Sequence, residues 1–176
     1  MRRSDGMVGS ARRFILTAEG DFKIRAPRPE DIAETAAALC PQAGCGFMIL
    51  EEDCPDGWGD YVQAAGGRDA KTGESRITVE RRVYVRDGNG GMDPRRPFQH
   101  LVAGRPGQGA AKPARIETNS YQVTVRANEV LSTRDVVAIM TAFLARRELP
   151  SAYGWRSNRE EVEETVRETE AWRRQH

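Results

Sequence analysis

No apolar run in the 176 residues approaches the roughly 18 needed to cross a bilayer as a helix, and mean hydropathy is -0.64. An integral helical membrane protein is excluded on that ground. Net charge is also nearly missing, because 27 Lys and Arg against 26 Asp and Glu leave +1. That balance excludes a uniformly charged surface and argues against a dedicated polyanion binder. Aromatic residues make up only 7% of the chain, few for a surface that stacks nucleic-acid bases.

Cysteine is sparse and odd in number. Cys40, Cys45 and Cys54 cannot all pair within one chain, which fits reduced thiols in a cytoplasm better than a disulfide framework. Their spacing lacks the paired C-x2-C knuckle of structural zinc sites, and His100 is the only internal histidine, so no metal is expected. No G-x-S-x-G elbow is present. Gly88, Gly90 and Gly91 are not followed by a helix pattern or by Gly-Lys-Ser/Thr, so they read as a hairpin tip rather than a phosphate loop. The first 13 residues hold no apolar core of a secretory signal. No cofactor and no catalytic residue is assigned, and the reading leans against an enzyme.

The patterns that are present give an α+β domain. Residues 1–12 lack periodicity and read as a flexible arm, and residues 13–156 read as a single domain. Phe14-Ile-Leu-Thr-Ala and Phe22-Lys-Ile-Arg flank Glu19-Gly-Asp21, predicting a hairpin. Pro29, Glu30 and Asp31 suit a helix start; Ile32, Ala36, Leu39 and Cys40 share a face, and Pro41 stops the run.

Strands follow at Phe47–Leu50, Tyr61–Ala65 and Phe98–Ala103. A longer one sets Ile77, Val79, Val83 and Val85 against Thr78, Glu80, Arg82, Tyr84 and Arg86. Arg81 interrupts its apolar face, predicting a bulge or bend. Tyr121, Val123 and Val125 alternate with polar residues in a last strand.

Asp87–Pro94 and Gly104–Pro113 read as Gly- and Pro-rich mobile tips. Ser132 and Asp135 form a capping-box variant for a helix whose Val136, Val137, Met140, Phe143 and Leu144 should pack on the sheet. Tyr153 and Trp155 are expected at the core edge. The segment 157–176 predicts a charged C-terminal helix with a narrow apolar stripe, loosely docked. The expected architecture is an antiparallel sheet of about five strands, packed by an N-terminal and a C-terminal helix.

Near-neutrality conceals blocks of charge. Residues 29–67 hold eight carboxylates and no Lys or Arg, whereas 68–126 hold twelve basic groups against six acidic. Within the acidic block, Glu51, Glu52, Asp53, Asp56 and Asp60 fall in ten residues, with Trp58 among them. They do not match a calcium loop, and Pro55 interrupts them. A solvated loop is the bland reading. The functional one is partner binding through Glu51, Glu52, Asp53, Asp56, Trp58 and Asp60, an acidic surface suited to a basic protein.

Two other readings stand beside it. One is a small enzyme using Cys54 with His100, or the acidic 51–60 cluster. The other is nucleic-acid binding through Arg76, Arg82, Arg86, Arg95 and Arg96, in which Glu80 sits as an opposing charge.

The order Phe47-Met-Ile-Leu50, Tyr61-Val-Gln63, Val79-Glu-Arg81, Phe98-Gln-His100 and Leu131-Ser to Phe143, followed by Trp155, resembles small bacterial immunity-type proteins over about residues 30–156. The resemblance implies a cytoplasmic antitoxin that binds and blocks a toxin without catalysis of its own. The two Gly- and Pro-rich insertions and the third helix depart from that compact pattern.

Overall fold

The computed structural model describes residues 13–55, 57–85, 98–107 and 112–158. The arm at 1–12, the tip at 87–94, Asp56, Arg86, Arg95, Arg96 and most of the expected terminal helix lie outside the described residues.

The chain opens with the expected hairpin, β1 (Arg13–Ala18) and β2 (Phe22–Arg25). Helix α1 (Pro29–Ala38) follows. Pro29 fills its first position, and Asp31 accepts the Arg28 backbone N–H at 2.7 Å. That bond, against a smaller opposing effect of burial, holds the Asp31 carboxyl below its ordinary range. Strands β3 (Phe47–Asp53), β4 (Tyr61–Arg68), β5 (Ser75–Val83) and β6 (Gln99–Gly104) then form a meander.

Next comes a separate hairpin, β7 (Pro113–Glu117) with β8 (Gln122–Arg126). Helix α2 (Thr133–Leu144) is followed by β9 (Gly154–Ser157). None of the described helices is long and apolar enough to cross a membrane.

The α+β class and the antiparallel pairing hold, but the expected count does not. Among the described residues the main sheet has seven strands in the order β2-β1-β3-β4-β5-β6-β9, all antiparallel. The short edge strands account for the difference. FKIR in β2 does alternate, and the expected hairpin joins the sheet at one edge through the β1–β3 pairing, whereas GWRS in β9 begins with glycine, has no alternating apolar signal and closes the other edge.

Helix α1 follows the hairpin as expected, but α2 is placed differently, since it comes before the last strand rather than after the whole sheet. Ser157, expected to open a helix, closes β9, and Asn158 N–H donates to the His100 carbonyl at 2.8 Å. The strand expected from Tyr121 pairs within its own two-stranded hairpin, outside the main sheet.

Both helices pack on one face of the sheet. Alternate residues Phe14, Leu16, Met48, Leu50, Val62, Ala64, Ile77 and Val79 meet Ile32, Ala36, Leu39, Val136, Ile139 and Met140 in one core. Phe14 and Phe143 meet edge to face with centroids 5.5 Å apart. Arg81 follows Ile77 and Val79 on this face. No bulge accompanies it: β5 stays in register with β4 (Val62↔Arg81) and β6 (Leu101↔Arg81). The chain keeps an arginine on its core face at the sheet's end, where α2 finishes.

Candidate functional site

The opposite sheet face carries polar and aromatic residues in cross-strand rows. Register places Tyr61 beside Glu51 and Arg82, Gln63 beside Glu80, and Arg82 beside His100. Glu80 Oε2 accepts from Gln63 Nε2 at 2.7 Å and lies 2.8 Å from His100 Nε2. Both the Glu80 and His100 side chains are largely buried, so the pair is a fixed structural unit.

The Arg82 guanidinium lies over the rings of Phe98 (4.3 Å) and Tyr61 (5.3 Å), with Nη2 3.5 Å from His100 Nδ1. Burial pushes the Tyr61 hydroxyl above its ordinary range, against the pull of Arg82.

A chain of rings leaves this cluster toward solvent. Tyr84 meets Phe98 at 6.3 Å and Trp58 at 5.4 Å, and Trp58 is 45% exposed. The position of Trp58 follows from its neighbours. A side chain at Gly59 would overlap the Glu52 carbonyl, so the loop crosses β3 at backbone distance. Glu52 N–H donates to the Asp60 carbonyl at 2.9 Å, and Asp60 Oδ1 accepts the Tyr84 N–H at 2.9 Å.

The acidic residues singled out from the sequence do not form one surface. Glu51 and Asp53 alternate onto the face of Tyr61, and Asp53 pairs with Arg25 at 3.5 Å. Glu52 turns to the helix side, is 7% exposed and pairs with Arg146 at 2.9 Å. Asp60 holds Tyr84, and Asp56 lies outside the described residues.

Cys54 follows β3, whereas His100 lies on β6, three strands away or about 14 Å at ordinary strand spacing. The carboxylate beside His100 is Glu80. Cys40 and Cys45 pair through their backbones in an isolated bridge. Burial is the main cause that raises the Cys45 thiol above its ordinary range.

The sequence reading did not bring Tyr61, Gln63 and Phe98 to this site, although each carries the right signal. Tyr61-x-Gln63, Glu80-x-Arg82-x-Tyr84 and Phe98-x-His100 all have period two. Their meeting depends on strand register, which those short patterns do not state.

No protein-family model matches this chain, and no curated protein or solved structure shows significant similarity to it.

Proposed function

We propose that this chain is a non-enzymatic protein-binding module of the immunity type, which blocks a toxin domain through the surface centred on Trp58. The observation that carries the reading is a solvent-exposed Trp58 held edge-on by Tyr84, itself in contact with Phe98 beneath Arg82. Fixed aromatic side chains lose little freedom on binding, and Trp, Tyr and Arg dominate the energetics of protein interfaces. Glu51 sets a carboxylate beside Tyr61 on this face, suited to steering a basic partner. The three thiols fit a cytoplasmic setting.

Nucleic-acid binding is less well supported. Of the arginines in that reading, Arg82 is committed to two ring faces, and Arg76 to the Arg115 carbonyl and Glu74.

Co-expression with the products of the flanking genes, followed by affinity purification, tests the proposal. A toxin should co-purify in a stable complex. Trp58→Ala should weaken that complex at least tenfold, equivalent to about 1.4 kcal/mol, with an unchanged circular dichroism spectrum. A complex indifferent to Trp58→Ala, or no partner among those products, overturns the reading.

A further inference from the structure

Beneath the last turn of α2, on the sheet face opposite Trp58's aromatic cluster, a cavity of about 240 Å³ opens beside Arg81. The Arg81 guanidinium lies 5.5 Å from the Phe143 ring centroid, and its Nε is buried with no acceptor among the described residues. Arg81 also makes no ion pair among the described residues, so an anion held in the cavity would meet an uncompensated positive charge at its wall. Arg147 lines the same space.

The two carboxylates there are already engaged. Glu52 pairs with Arg146 at 2.9 Å, and Asp60 accepts the Tyr84 N–H at 2.9 Å. The helix ending keeps the two arginines in place. Arg146 N–H donates to the Phe143 carbonyl and Arg147 N–H to the Ala142 carbonyl, with Arg146 at φ 54°, where helices commonly carry glycine.

Size and wall chemistry narrow the ligand. A dry cavity of about 150 Å³ holds benzene, and drug-sized sites begin near about 300 Å³. This cavity therefore suits one ring with a small charged substituent. Phe143, Leu149 and Trp155 supply its apolar wall. A guanidinium presents a flat fork that matches a carboxylate, whereas a phosphate dianion would bring more charge against Glu52 and Asp60.

The geometry points to a binding site for a small aromatic carboxylate, its carboxylate on Arg81 and its ring against Phe143 and Trp155.

The test is an NMR titration of the full chain with benzoate, using benzamide as a neutral isostere and inorganic phosphate as a second anion. A ligand of benzoate's size reaches a Kd of about 10 mM at ordinary ligand efficiency, within the range an NMR titration reads. Saturable benzoate shifts at Arg81 and the Trp155 indole, absent with benzamide and at least tenfold weaker in Arg81→Gln, are the expected result. Arg147→Gln, on the exposed side, should weaken binding severalfold and covers the case in which Arg81→Gln does not fold. Equal shifts from benzamide would leave only an apolar hollow and overturn the proposal. Tighter phosphate binding at the same residues, or no saturable benzoate shift, would also overturn it.

Discussion

The Tyr153 hydroxyl donates to Asp135 Oδ1 at 2.7 Å, tying the segment after α2 to the cap that starts the helix. Oδ2 of the same carboxylate accepts from Ser132 N–H at 2.7 Å and from Arg105 Nη2 at 2.6 Å. One aspartate thus joins the β6 exit, the α2 cap and the approach to β9. Tyr153→Phe keeps the ring and removes one donor from a carboxylate that is 5% exposed. A hydrogen bond to a charged group contributes about 1.5–3 kcal/mol, and loss in that range is expected in urea unfolding at neutral pH. A wild-type midpoint would show that the bond contributes nothing to stability.

The same pair predicts opposite pH dependences. Burial raises the Asp135 carboxyl, but the donors from Tyr153 and Ser132, with Arg105, outweigh it and leave the group below its ordinary value of 3.8. Its contribution is therefore present above pH 3.8 and lost as pH falls through the lower folded-state value. Burial and the bond to Asp135 push Tyr153 from 10.0 up to about 12. That contribution is full below pH 10.0 and lost as pH rises through about 12. Urea midpoints measured across pH should fall less steeply at the acid end in Asp135→Asn and at the alkaline end in Tyr153→Phe. Tyrosinate absorbance should show Tyr153 titrating near 12 in the folded wild type.

Glu129 presents a sharper energetic contrast, being 1% exposed at the end of a 3₁₀ turn. Arg156 from β9 meets it with two nitrogens, Nε to Oε1 at 2.6 Å and Nη2 to Oε2 at 3.2 Å. Arg126 N–H also donates to Oε2 at 2.9 Å. Arg156→Leu leaves a buried carboxylate without its counter-charge and should cost about 3–5 kcal/mol. Adding Glu129→Gln removes the stranded charge, so the double variant should recover part of that loss. Equal urea midpoints for the single and double variants would contradict this account.

Where side-chain period and capping chemistry were strong, the sequence disclosed the fold closely. The β1–β2 hairpin, the Pro29 start of α1 and the Ser132–Asp135 cap all appear where local residues place them. Arg81 shows the limit of that logic. Alternation alone treats a charge in an apolar row as a break, yet an arginine at the end of the sheet can lay its guanidinium over Phe143 without disturbing either ladder. The acidic cluster shows another limit. Glu51, Glu52 and Asp53 are adjacent in sequence, but strand pleating sends the middle one to the opposite face. Trp58 was legible by composition, while its support by Tyr84 required the register of β4 and β5.

Gly66 provides the most direct test of how the separate hairpin attaches to the sheet. Its φ is 111°, and an added Cβ would overlap the Arg76 carbonyl and lie 2.6 Å from Ile116 Cγ2. Ile116, in β7, is fully buried. Gly66→Ala must therefore strain the backbone and also displace the β7–β8 hairpin. Strain in such a backbone region costs about 1–3 kcal/mol, before any loss of packing. Gly73→Ala separates the two effects, because Gly73 also has positive φ, 73°, but an added Cβ there would meet nothing within 4 Å. Gly66→Ala should lower the urea midpoint further than Gly73→Ala and speed hydrogen exchange at the Ile116 and Val125 amides. Gly73→Ala should leave those amides as protected as in the wild type. If the two variants are equally destabilised and the hairpin amides stay protected in both, the hairpin is not held through Gly66.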